Sequence, residues 1–230
     1  MAGRVRDPIR ITVVQPHCAP YDVARNAAAH AAAVREADAQ VVVFPELSLT
    51  GYELDAEAIT TEDPRLAPIA AACAEMGAMA LAGAPIAGAD GREYIAMPAI
   101  DGTAATIAHR KIWLGGAEPD RFTLGDVPAV LDVDGWRLGI AICKDTGVAQ
   151  HLPTPPALGI DDYIAGVVEH PDVQAQRAAR IATAYRVWVA IANADGSSGI
   201  WAPGGTCAGQ AAADKGAMVR GCLERQALRR

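Results

Sequence analysis

Short apolar runs recur along the chain, separated by polar turns and by stretches with helical spacing. Ile9 to Val14 has a strand pattern. Asp22 stands where an N-cap would open an alanine-rich helix to about Ala39, and Val41 to Phe44 forms a second strand. This is a strand-helix-strand unit. A helical stretch from Pro64 to Gly77 leads into a strand at Met79 to Gly83. Glu93 to Ile100 and Thr103 to His109 read as a hairpin about Asp101-Gly102. Ala129 to Val133 and Trp136 to Ile142 flank a second Asp-Gly turn, Asp134-Gly135. Beyond the proline-rich stretch Leu152 to Pro156, the pattern predicts a strand at Tyr163 to Val168, a helix at Asp172 to Tyr185 and a strand at Val187 to Asn193. The alternation predicts an α/β fold, and with no linker, repeat or low-complexity segment residues 1–230 read as a single domain.

Length and charge narrow the function classes. A chain of 230 residues can bury about 70% of its unfolded surface without a staple. A formal charge of −7 with scattered basic residues argues against a nucleic-acid partner, and the short basic tail Arg225 to Arg230 reads as a frayed end. The opening Met1 to Pro8 has no apolar core for a signal peptide, and no run reaches the ~20 apolar residues of a membrane span. A cytoplasmic protein is expected. The five cysteines (Cys18, Cys73, Cys143, Cys207 and Cys222) form no CxxC pair, so neither a zinc site nor a disulfide framework is expected. All but Cys143 read as small core hydrophobes.

Three polar residues interrupt the apolar pattern in marked contexts. Val41-Val-Val-Phe-Pro-Glu46-Leu-Ser-Leu-Thr-Gly-Tyr52 runs an apolar strand into a proline and then releases a carboxylate into a turn. His109-Arg-Lys111-Ile-Trp-Leu-Gly-Gly-Ala-Glu118, followed by Arg121-Phe-Thr-Leu-Gly-Asp126, presents a lysine after a strand. Arg137-Leu-Gly-Ile-Ala-Ile-Cys143 ends a strand on a thiol. Taken in that order, the three segments resemble the nitrilase superfamily of carbon-nitrogen hydrolases, whose members use a Glu-Lys-Cys triad. The resemblance runs from Gln15 to about Gly221 and is strongest around Glu46.

The resemblance implies a four-layer α-β-β-α sandwich, an amidohydrolase acting on a small linear amide or carbamoyl compound, no cofactor, no metal, and a homodimer. It also implies roles that suit the residue types. A cysteine attacks as thiolate, and an ordinary thiol pKa of about 8.5 leaves only a few per cent ionised at neutral pH, so it needs a base and a cation. Glu46 would be the base, its pKa raised in an apolar cleft. Lys111, with the backbone N-H after Cys143, would stabilise the oxyanion, where one lost donor costs about 3 kcal/mol in other hydrolases. Glu118 falls where the family often carries a second carboxylate, to orient Lys111 or the hydrolytic water.

After its cysteine the family often has an aromatic residue, an acid and a later Phe-Pro-Glu. Here Lys144-Asp145-Thr-Gly-Val-Ala follows, which bears on substrate and places true nitriles behind amides. Lys144 has two readings, a solvated side chain or a cation that binds an acidic substrate group; Asp145 reads as a cap. Asn193 and Ser198 either touch substrate or build a turn. Three alternatives compete. Gly196-Ser-Ser-Gly199 superficially matches a serine amidase loop, His109 or His151 offers a cysteine-histidine pairing, and the chain can be read as a catalytically silent binding or assembly module.

Overall fold

The computed structural model describes residues 7–151, 159–212 and 214–224. Residues 1–6, the proline-rich stretch and the basic tail lie outside them. The chain opens with β1 (Ile9–Val14), α1 (Val23–Ala37) and β2 (Val41–Val43), and β1 and β2 run parallel. The Asp22 carboxylate accepts the Arg25 N-H at 3.0 Å and caps α1. The helix stops two residues before its predicted end because Asp38 turns left-handed at φ 47°, which breaks the hydrogen-bond ladder.

A turn at Pro64–Leu66 starts α2 (Ala67–Met76), which ends on Gly77 and leads to β3 (Met79–Leu81). β4 (Ala84–Ala87), absent from the sequence reading, carries Pro85 and pairs antiparallel with β5 (Glu93–Ile100). It prolongs β3 in the same register on β5, Ala80 facing Ile100 and Ala84 facing Ala96. β6 (Ala105–Arg110) takes the other edge of β5.

The second half supplies β7 (Ala129–Val133) and β8 (Trp136–Ile142), joined by Asp134 and Gly135 at φ 50° and 79°, the left-handed pair that a tight hairpin needs. β9 (Asp162–Val167), α3 (Pro171–Tyr185) and β10 (Trp188–Asn193) form another parallel strand-helix-strand unit. β11 (Gly199–Trp201) and β12 (Cys207–Gln210) extend that sheet, and β13 (Met218–Leu223) returns to pair antiparallel with β1. The sheet orders are β13-β1-β2-β3-β5-β4, with β6 on β5, and β12-β11-β10-β9-β8-β7.

Alternation along the strands builds four layers. In β1, Ile11 and Val13 pack between the sheets against Ile140, Ile142 and Ile164, while Val14 joins α1 and α2 on the outer face. In β10, Ala190 and Ala192 face inward, whereas Val189 and Ile191 meet Ala178 and Ala182 of α3. Both faces of the central strands are covered, which explains their unbroken apolar runs. The four-layer α-β-β-α sandwich therefore holds.

Candidate active site

Glu46 emerges where β2 ends. Leu47 is left-handed at φ 54°, and a turn at Ser48–Thr50 follows. α1 braces that turn from behind: Asn26 Nδ2 donates to the Leu49 carbonyl at 3.0 Å, and the His30 ring bridges the Asn26 carbonyl (2.6 Å) and Ser48 Oγ (2.9 Å). Burial pushes His30 down to about 4, so its ring is neutral at pH 7. Nδ1 then donates to the carbonyl and Nε2 accepts from the serine. The second sheet closes from the other side at Gly166, where an added Cβ would stand 2.7 Å from the Phe44 carbonyl oxygen and 2.9 Å from the Glu46 nitrogen. Only glycine admits that approach.

Lys111 follows β6 directly, its N-H donating to the Ile95 carbonyl at 2.8 Å, and its side chain is 1% exposed. The ammonium lies 2.7 Å from Glu46 Oε1 and 2.7 Å from Glu118 Oε1, while Glu118 Oε2 accepts the Gly115 N-H at 2.9 Å. Burial lowers the lysine pKa, but Glu46, then Cys143 and Glu118, outweigh it and hold it above the ordinary value. Glu46 moves up as well: burial dominates, opposed by Lys111.

Cys143 ends β8 and opens the turn Cys143–Gly147 with φ 45°, a left-handed conformation that non-glycine residues rarely adopt. It thrusts the side chain out of the sheet into the electrostatic field of Glu46 and Lys111, with Sγ donating to the Val168 carbonyl oxygen at 3.6 Å. Burial and then the Glu46 charge push the thiol up to about 12, against Lys111. The resting group is thus a neutral thiol beside a carboxylate. Such a pair can transfer its proton as the sulfur attacks, and the neighbouring ammonium can receive the negative charge of a carbonyl oxygen.

The structure therefore brings Glu46, Lys111, Cys143 and Glu118 together. It places the other candidates differently. Lys144 packs against Gly115, its Nζ donating to the Leu114 carbonyl at 2.5 Å. Asn193 is fully buried, yet its amide serves backbone groups: Oδ1 accepts from Glu169 and Asp195 N-H, and Nδ2 donates to the Glu169 carbonyl. Ser198 Oγ accepts the Asn193 N-H at 2.9 Å. Both shape the turn that holds the segment beside the thiol. The Val168 carbonyl facing Cys143 was not anticipated, since a backbone oxygen leaves no residue-type signal.

The cysteine expectation needs correction. Cys73 is buried, but Cys18 is half-buried and Cys207 and Cys222 are exposed, because β12 and β13 each turn residues toward solvent. The cysteine-histidine alternative has no geometry behind it: His109 Nε2 contacts Asp145 Oδ2 at 3.0 Å and His151 Nε2 the Ile140 carbonyl at 3.2 Å. His109, Asp145 and His151 bring potential metal ligands within 4.8 Å of one another. Both Asp145 oxygens, however, already serve N-H donors, which leaves little lone-pair capacity for an ion.

A buried carboxylate, ammonium and thiol meeting at the strand ends of a two-sheet sandwich define a nitrilase-superfamily protein. The chain belongs to the carbon-nitrogen hydrolase family, whose model matches residues 10–219. A hydrolase encoded in the pqqF 5' region of Pseudomonas protegens is 29% identical over 96% of this chain and 84% of its own length. Among solved structures, XC1258 from Xanthomonas campestris, a CN-hydrolase superfamily protein, superposes with a TM-score of 0.84 at 18% identity, over 94% of this chain and 91% of its own. An amidase from Nesterenkonia sp. gives 0.82 at 21% identity, over 97% and 94%. Yeast Nit3 gives 0.84 at 18%, over 96% and 91%. No helix among the described residues is long and apolar enough to cross a membrane.

Proposed function

We propose that this chain hydrolyses a small, neutral linear amide through a thioester on Cys143. The observation that carries the reading is the buried pair of Glu46 and Lys111, 2.7 Å apart, electrostatically coupled to the Cys143 thiol. Glu46 takes the thiol proton as sulfur adds to the carbonyl carbon. Lys111 and the Lys144 N-H stabilise the oxyanion. Collapse of the tetrahedral species breaks the C-N bond as Glu46 protonates the leaving nitrogen, and ammonia or an amine departs. Glu46 then deprotonates water, which adds to the thioester; collapse expels Cys143 sulfur, reprotonated by Glu46, and frees the acid. A carboxyl whose pKa is raised by burial is a better proton acceptor than an ordinary one and can return the proton it takes.

A preference for neutral substrates follows from charge. Lys144, one of whose readings is recognition of an acidic group, donates from its ammonium to the Leu114 carbonyl. Lys111 is matched by two carboxylates, Glu46 and Glu118, so a substrate carboxylate beside these three groups would meet no net positive charge. Carbamoyl compounds remain within the class.

The test is ammonia release from butyramide, ω-amides of amino acids, N-carbamoyl amino acids and nitriles, comparing the wild-type chain with Cys143→Ala. Butyramide heads the panel because a cysteine-to-alanine mutant of the Nesterenkonia amidase has been solved in complex with it. Release from neutral amides that the variant loses supports the reading. Release from none of them returns the chain to a binding or assembly role.

A further inference from the structure

Lys111 belongs to the first sheet and Cys143 to the second. No ladder of backbone hydrogen bonds joins two sheets packed face to face, so side chains must set the offset between ammonium and thiol. One carboxylate spans the gap at this point. Asp145 Oδ1 accepts the N-H groups of Ile112 (3.2 Å) and Trp113 (2.9 Å), the two residues after Lys111. Asp145 Oδ2 accepts the Ile142 N-H (3.0 Å), just before Cys143, and meets His109 Nε2 (3.0 Å), two residues before Lys111. It thus grips the lysine segment on both sides and the strand that ends on the nucleophile.

We propose, on the basis of the thioester reading, that Asp145 is a positioning residue that fixes Cys143 relative to Lys111 and Glu46, with His109 as its second anchor. The side chains of both residues are fully buried. Burial would raise the Asp145 carboxyl, yet the hydrogen bond from His109 and the charges of His151 and His109 keep it below the usual range, so it stays an all-acceptor group. That property cannot be copied by an amide. In Asp145→Asn, whichever way the side chain sits, an NH₂ group faces N-H donors, and the two segments lose a shared acceptor. Rate then falls because reacting groups drift from alignment, although no atom that touches substrate has changed.

The test uses iodoacetamide alkylation of Cys143, followed site by site by mass spectrometry on the intact chain well below its melting temperature, so it needs no identified substrate. The wild-type chain should label Cys143 faster than Cys18. Asp145→Asn should slow Cys143 at least tenfold and leave Cys18 unchanged, a selectivity that general loosening of the fold would not produce. His109→Leu should slow Cys143 severalfold, and His109→Gln, which restores an N-H near the Nε2 position, should recover at least half of that loss. This histidine pair decides the question should Asp145→Asn fail to fold. Equal Cys143 labelling in the wild type and Asp145→Asn, or no difference between His109→Leu and the wild type, overturns the positioning role alone. Wild-type Cys143 labelling no faster than Cys18 overturns the thioester reading and this inference with it.

Discussion

Gly83 passes so close to Glu46 that a Cβ added to the glycine would stand 2.7 Å from the Glu46 Cα and 2.4 Å from the Leu47 nitrogen. The contact lies where β3 gives way to β4, and Leu49 N-H donates to the Gly83 carbonyl at 3.0 Å. The strand and the turn carrying the carboxylate are thus wedged together. Gly83→Ala must push them apart, since the opposing atoms are backbone, at a cost of about 1–3 kcal/mol in stability. Denaturant unfolding should show that loss, and labelling of Cys143 should slow in the folded fraction because Glu46 has moved.

The pH dependence of Cys143 reactivity should carry the signature of Glu46. Its pKa lies above the ordinary 4.5 because burial disfavours the charge. Below that raised value the carboxyl is protonated and cannot take the thiol proton, so the rate falls as pH falls, and the acid limb sits above pH 4.5. Glu46→Gln should remove the limb and lower the rate about 10²-fold or more. Alkylation rates between pH 4 and 8 for the two proteins check this.

Glu118 orients rather than reacts in this account. Glu118→Gln keeps an oxygen for the Gly115 N-H but removes one negative partner of Lys111. Turnover of an amide should fall about 10–100-fold through kcat, with KM little changed, as expected when a group that acts on the substrate only in the transition state loses alignment. Lys111→Met should be more severe, since it leaves two carboxylates beside each other in a buried site; loss of one partner of such a cluster costs about 3–5 kcal/mol.

Far from the site, Asp162 is fully buried at the start of β9, and burial holds its carboxyl well above the ordinary 3.8. The sign follows from linkage: the folded state binds this proton more tightly than the unfolded one, so the contribution to stability is complete below pH 3.8. It is lost as pH rises toward the folded pKa, at up to about 1.4 kcal/mol per pH unit. Asp162→Asn should flatten that slope, which unfolding curves at pH 5 and pH 7.5 would measure.

Much of the core of the site was legible because its residues break strong patterns. Glu46 follows an apolar strand and a proline, and Cys143 closes a hairpin arm that Asp134-Gly135 announces, so both could be put at strand ends without coordinates. The direction of a side chain was not legible. Lys144 follows a residue whose φ of 45° turns the chain, and that conformation carries no mark in a cysteine. Strands such as β13 escaped for another reason: all but one of its residues are half-buried or exposed, it contains Gly221, and its partner β1 lies some two hundred residues earlier. β4 is interrupted by Pro85, which discourages a strand reading. Asp145 could be read as a cap, and it is one, but its hold on the Lys111 segment depends on how the two sheets meet.

The most direct test is to mix the chain with butyramide, quench in acid during turnover, and map acyl adducts by mass spectrometry. An acyl thioester on Cys143, forming as ammonia is released and absent in Cys143→Ala, is the expected result. Ammonia released at an undiminished rate by Cys143→Ala, or turnover with no acyl group on Cys143, would contradict the account.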